Sequence, residues 1–180
     1  MNLNLQSDDF ELFGLPRRFA QDTAQLHERW QDLQRQAHPD RFASQGAAAQ
    51  RVAMQWSVRI NEAWQRLKDP LRRATYLCEL HGTPVRAEDN TAMPAQFLMQ
   101  QMQWREKLDE ALDEALDAAD GAAALDELHD EVQRARREAI GRLEQLIDQQ
   151  QDWPAAVAEV RALMFIARFA RDIEQRQGQL

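Results

Sequence analysis

The sequence predicts an all-α protein in two units, and three observations carry that prediction. Ala, Leu, Gln, Glu and Arg dominate a chain of 180 residues with only 6 Gly and 6 Pro, a composition of helices with few interruptions. Apolar residues recur at spacings of three and four over most of the length, the period of one helical face. The charge is uneven: residues 1–82 hold 11 basic and 10 acidic side chains, residues 83–180 hold 11 and 20, and the net charge is −8. A near-neutral half is followed by an acidic one.

Each element has a local cause. In DDFELFGLP a short first helix is ended by Gly14, and Pro16 prevents its resumption. Asp22 is placed to cap the second helix, with Gln25 at the capping-box position, and Leu26, Trp30, Leu33 and Ala37 form its inward face. That helix must stop at His38, because Pro39 has no N–H to donate and pushes the residue before it out of the α region. A third helix is expected over 46–67, with Val52, Trp56, Ile60, Ala63, Trp64 and Leu67 inward. Asp69 and Pro70 open a fourth that ends near His81 and Gly82. The aperiodic stretch GTPVRAEDNT reads as a linker. Residues 1–82 are thus the first unit, 83–92 the linker and 93–180 the second unit.

Three longer segments follow, at about 94–118, 123–150 and 154–177, broken at Asp120-Gly121 and at Asp152-Trp153-Pro154. The middle one carries Leu125, Leu128, Val132, Ala135, Ala139 and Leu146 on one face. Amphipathic helices with short connections predict an antiparallel three-helix bundle. The repeated LDEALDEALD is explained by a solvated helical face.

Several function classes are disfavoured. Neither half forms the basic stripe that displaces counterions from phosphates, so no nucleic-acid partner is expected. No apolar run approaches the roughly 20 residues needed to span a bilayer, and MNLNLQSDDF lacks the regions of a secretion signal, so a soluble cytoplasmic protein with no membrane partner is expected. Cys78 has no partner for a disulfide or a thiolate site and reads as a small buried apolar residue in a reducing compartment. His27, His38, His81 and His129 show no ligand spacing, and no glycine-rich loop offers amides to a phosphate. Neither metal, cofactor nor catalytic site is expected; His38 and Asp40 sit on a surface turn that offers no pocket to exclude water.

What remains is the stretch RQAHPDRFAS. Stopping a helix needs only a Pro or a Gly, so the flanking His38 and Asp40 ask for another explanation. A helical hairpin interrupted by His-Pro-Asp and followed by INEAWQRLKDPLRRATY resembles a J-domain, which docks on heat-shock-70-type chaperones and stimulates their ATPase. With DDFELFGLP before it and QFLMQQMQWREKLDEAL after it, nearly the whole chain resembles the HscB family of co-chaperones, in the bacterial form without an added zinc-binding module. The resemblance implies two partners: the specialised chaperone HscA, met by the J-domain, and the iron–sulfur scaffold protein IscU, held by the C-terminal bundle. Asp40 would present its carboxylate to a cationic group of the chaperone, with Arg29, Arg35 and Arg41 steering encounter with an acidic surface. Ordinary solvated charge is the alternative for each Arg.

On the fifth helix, Phe97, Trp104, Leu108, Ala111, Leu112 and Ala115 form a stripe sufficient to anchor it. Leu98, Met99 and Met102 fall roughly 100–200° from its centre, among Arg105, Glu106 and Asp109. An apolar patch rimmed by charge suggests a protein-binding face; packing beneath the J-domain is the alternative. The family's scaffold-binding positions match Leu98, Met99, Met102, Arg105, Glu106 and Glu110, with Phe165 from the last helix, a residue that core packing also explains. The pattern departs at Gln103, often Glu in the family, and at Met102, usually Leu. Two further readings remain open: a J-protein for a different client, and a helical structural adaptor without chaperone activity.

Overall fold

The protein is described by a computed structural model, in which residues 6–88, 92–112 and 118–178 are described. They hold seven α-helices and no strand: α1 Asp9–Phe13, α2 Thr23–Ala37, α3 Ala47–Lys68, α4 Pro70–Leu80, α5 Ala95–Ala111, α6 Ala118–Glu144 and α7 Trp153–Gln177. The chain divides into two compact units, Met1–Leu77 and Cys78–Leu180. The boundary lies inside α4 and not after it at residue 82, because the stretch after the helix is bound into the second unit: His81 stacks on Trp153 at 4.1 Å, and the Arg161 guanidinium donates to the carbonyls of Val85 and Ala92.

In the first unit the helix starts follow the sequence closely. The side chain of Asp8 accepts from the Glu11 N–H, and that of Asp22 accepts from Ala24 and Gln25, each satisfying donors that an isolated helix leaves open. Gly14 ends α1 at φ 63°, where a side chain is disfavoured. α2 and α3 form an antiparallel hairpin: Ser57 Oγ donates to the Ala37 carbonyl, and the Gln34 amide and Trp30 Nε1 both donate to Asn61. Farther from the turn, Trp30 and Trp64 stack at 5.2 Å. Leu26, Leu33, Ile60, Ala63 and Leu67 fill the seam with Phe10 and Phe13 of α1. One register expectation fails. Ala53 is in the core at 3 % exposure and Val52 is 52 % exposed; in an Ala-rich first turn and a half the neighbours do not fix the face, and tertiary packing does.

A buried charge cluster holds α1 to α3. Asp9, 0 % exposed, meets Arg59 at 2.7 Å and receives both guanidinium donors of Arg66 at 2.6 and 2.9 Å, while its own N–H donates to the Tyr76 hydroxyl. Removing the carboxylate strands two guanidinium groups. Asp9→Ala is expected to lower the stability of the first unit by about 3 kcal/mol, the low end for breaking a buried pair because Arg66 retains access to water. Urea denaturation checks this, and a loss below about 1 kcal/mol would mean that apolar packing of α1 suffices.

In the second unit α6 runs antiparallel to both neighbours. Arg142 donates twice to buried Glu159 of α7, at 3.0 and 2.8 Å, and Gln177 near the end of α7 reaches Asp126 near the start of α6. Trp104, fully buried, stacks on Phe169 and gives its Nε1–H to Glu131 of α6. Burial alone would raise the Glu131 carboxyl, but hydrogen bonds from Lys107 and Trp104 outweigh it and hold the group below its ordinary range. Asp152 caps α7 by accepting from Ala155, with Pro154 in the first turn.

Two expectations about α5 and α6 are corrected. α5 ends at Ala111 and α6 begins at Ala118, so Asp120 and Gly121 lie within a helix. Gly121 is buried, and a Cβ there would sit 3.0 Å from the Ala111 carbonyl oxygen, so the glycine permits close helix approach and marks no break. Ala115 and part of the acidic repeat fall outside the described residues. At the other end the buried stripe continues from Ala139 to Leu143 within α6, and in the π-helical turn over Gln145–Gln150 that follows, Ile147 is in the core and Leu146 is half-buried.

Candidate functional site

The first candidate is the corner at which α2 stops. His38 adopts an extended conformation, φ −63° and ψ 127°, and a short 3₁₀ helix, Pro39–Gln45, follows before Gly46 admits α3. The turn is fixed from within: the Arg41 N–H donates to the His38 carbonyl at 3.1 Å, and the Asp40 N–H donates to His38 Nδ1 at 3.3 Å. With Nδ1 accepting, the neutral ring keeps its proton on Nε2. The Asp40 side chain is 90 % exposed, and its carboxylate stands 3.5 Å from His38 Nδ1, beyond a good hydrogen bond. A rigid backbone therefore offers a solvated carboxylate to any cation that approaches.

The three arginines around this corner differ. Arg35 pairs with Asp32 on the same helix, and Arg41 donates to the Arg35 carbonyl at the end of α2. Both hold the corner as well as adding charge. Arg29 is exposed and lies about 13 Å back along the α2 axis, so it does not join Asp40 in one cluster.

The second candidate is the outer face of α5. Phe97, Trp104 and Ala111 are buried, with Leu108 and Leu112 half-buried, whereas Leu98, Met99 and Met102 are 47, 68 and 72 % exposed. Arg105, Glu106, Asp109 and Glu110 are exposed around them, as is Gln103. Phe165 stands apart from this patch. It is half-buried, packs edge-on against Phe97 and stacks on Phe169, both at 5.7 Å, and meets the patch through the Arg105 guanidinium, 5.8 Å from its ring centre. The rim of this face therefore includes an arginine that leans on the aromatic core.

A third exposed apolar area was not anticipated from the sequence. Met54 and Val58, 60 and 54 % exposed, line a shallow groove on α3 with Arg51, Arg59 and Glu62. Their four-residue spacing was a usable signal, hidden by the stronger stripe that buries Ile60 and Leu67. Among the described residues no group of His, Cys, Asp or Glu is arranged to hold a metal ion, and no helix is long and apolar enough to cross a membrane.

A J-domain hairpin carrying an exposed His-Pro-Asp corner, joined to a C-terminal three-helix bundle, is the architecture of a two-part J-protein, and known proteins share it. Residues 93–174 match the family described as HSCB C-terminal oligomerisation domain. The "Co-chaperone protein HscB homolog" of Bordetella petrii is 48 % identical over 92 % of this chain and 94 % of its own. Among solved structures, chaperone HscB from Vibrio cholerae superimposes with a TM-score of 0.80 at 36 % identity, covering 97 % of this chain and 99 % of that one. The human co-chaperone protein HscB gives 0.82 at 28 % identity, over 98 % and 85 %. The chain belongs to the HscB family of co-chaperones.

Proposed function

We propose that this co-chaperone stimulates the ATPase of the heat-shock-70-type chaperone HscA and delivers to it the scaffold protein IscU during iron–sulfur cluster biogenesis in the cytoplasm. The observation that carries the reading is the pairing of two exposed features, one on each unit: the Asp40 carboxylate and the Leu98-Met99-Met102 patch. Asp40 supplies a charge-assisted contact to a cationic group of the chaperone, oriented by the bonded turn. The α5 patch supplies apolar area for the client, with Arg105, Glu106 and Glu110 at its rim and Phe165 behind Arg105. Binding both partners through one chain raises their local concentration for each other.

Steady-state ATP hydrolysis by the purified chaperone tests this. Addition of the protein is expected to stimulate it, and the scaffold protein to add to that effect. Stimulation without any scaffold increment would point to another client; no stimulation at all would leave a structural adaptor.

In this reading the chain transports a scaffold and ligates no cluster. Cys78 is buried, and burial, with the charge of Glu79 added, pushes its thiol from 9.0 to about 11. It therefore stays a protonated, apolar-site residue at neutral pH. Cys78→Ala is expected to preserve ATPase stimulation at a small stability cost of about 1 kcal/mol. Since the thiol ionises more readily in the unfolded chain, its contribution to stability is complete below pH 9 and is lost as pH rises toward about 11. Comparing melting of the two proteins across that window checks the sign: the wild type should lose its advantage there. Stoichiometric iron in protein purified without partners would contradict the assignment.

A further inference from the structure

Sulfur is distributed unevenly over this molecule. Its one thiol, Cys78, is buried and stays protonated at neutral pH. Among the described methionines, Met93 and Met164 are half-buried, and the Met93 sulfur accepts from the Gln101 amide at 3.2 Å. Met54, Met99 and Met102 are 60, 68 and 72 % exposed. The sulfur that solvent reaches most freely is therefore thioether, and Met99 and Met102 stand together, three residues apart on the outer face of α5.

Exposure decides which thioethers an oxidant reaches, and position decides what the product does. With hydrogen peroxide, a sulfur lone pair takes one oxygen atom. The thioether is oxidised by two electrons to the sulfoxide, the O–O bond breaks, and the other oxygen leaves as water. The sulfoxide is polar, accepts hydrogen bonds and has no proton to donate. In the free protein it disturbs little, because water solvates it at these positions while buried Phe97 and Trp104 hold α5 from the opposite side. Beneath a partner it must enter an apolar contact with no donor provided, and burying an unpaired polar group is penalised.

We infer that Met99 and Met102 form a reversible oxidation site, at which peroxide-class oxidants release the client from α5 by making its apolar contact polar. The inference rests on the proposed binding of the scaffold to this face. Reversal is a two-electron reduction: a dithiol becomes a disulfide, the sulfoxide oxygen leaves as water and the thioether is restored. Methionine sulfoxide reductases catalyse that step, one enzyme for each sulfoxide epimer. Met54 is an internal control, since it is exposed to a similar degree but belongs to α3 of the first unit and not to this face.

The test treats the purified chain with hydrogen peroxide, removes the oxidant with catalase, locates the sulfoxides by peptide mass spectrometry and titrates the product with the scaffold protein in a calorimeter. Met99 and Met102 should oxidise faster than the half-buried Met93 and Met164. Scaffold affinity should fall at least about thirtyfold, with the melting temperature unchanged, and the two reductases with dithiothreitol should restore it. A protein carrying Met99→Leu and Met102→Leu, compared with its own untreated sample, should keep its affinity through the same treatment even as Met54 oxidises. The inference is overturned by oxidation at 99 and 102 no faster than at the half-buried methionines, by full oxidation with unchanged affinity, or by an equal loss in the leucine variant. A loss of affinity accompanied by a loss of the melting transition also overturns it, because the damage then lies in the fold. Untreated wild type that binds no scaffold is recognised before any oxidant is added, and refutes the client-binding reading together with this one.

Discussion

Asp40→Asn is expected to abolish stimulation of the chaperone ATPase while leaving the fold intact. The substitution preserves shape and removes one charge. What fixes the turn is the Asp40 backbone N–H on His38 Nδ1 and the Arg41 N–H on the His38 carbonyl, and neither involves the carboxylate. The side chain, 90 % exposed, buries almost nothing, so the unfolding free energy should stay within the range of an ordinary surface change, about 0.5 kcal/mol. Truncating one partner of a desolvated, hydrogen-bonded charge pair weakens association by roughly thirtyfold or more. In an ATPase titration the variant should therefore fail to saturate at concentrations that saturate wild type. Normal stimulation would show that the corner acts through its shape alone.

The second large effect is expected on α5. Replacing Leu98, Met99 and Met102 together by Ala should weaken scaffold binding at least about a hundredfold, since each apolar anchor contributes roughly 1–2 kcal/mol and a factor of ten corresponds to about 1.4. Stability should change little, because the three side chains are 47–72 % exposed and Ala is the strongest helix former. Glu106 and Glu110 at the rim should affect mainly the association rate. Calorimetric titration with the scaffold, a melting curve and a scaffold-free ATPase assay separate the outcomes. Unchanged affinity refutes the surface, and a large fall in melting temperature would place these residues in the fold's own packing.

Both predictions rest on features whose legibility in the sequence differed. The caps at Asp22 and Asp69 were readable because capping is a local event between neighbours in the chain. So was the outward face of α5, where the strong alternation of Phe97 and Trp104 against Met99 and Met102 leaves one orientation. Long-range packing was not readable. Gly121 resembles a helix break until the Ala111 carbonyl is found against it. Asp9 cannot be told apart from its neighbour Asp8 in the sequence, and only the convergence of Arg59 and Arg66 from positions far along the chain marks it. Arg161 is one of many arginines on a long helix, and only its burial and the carbonyls it meets distinguish it. The placement of Val52 failed for a weaker reason: three alanines precede it closely, and Ala fits either face.

The division of labour around α5 also bears on how such a protein diversifies. Phe97, Trp104 and Ala111 secure the helix, and Leu98, Met99 and Met102 face outward, so mutational drift at the outer positions is nearly uncoupled from folding. If this face binds the client as proposed, client preference can then wander through single substitutions without compensating changes in the interior. Arg105 is the exception. Because its guanidinium leans on Phe165, which packs on Phe97 and Phe169, an altered rim at that position reaches the aromatic cluster, and lineages that change it should change Phe165 as well.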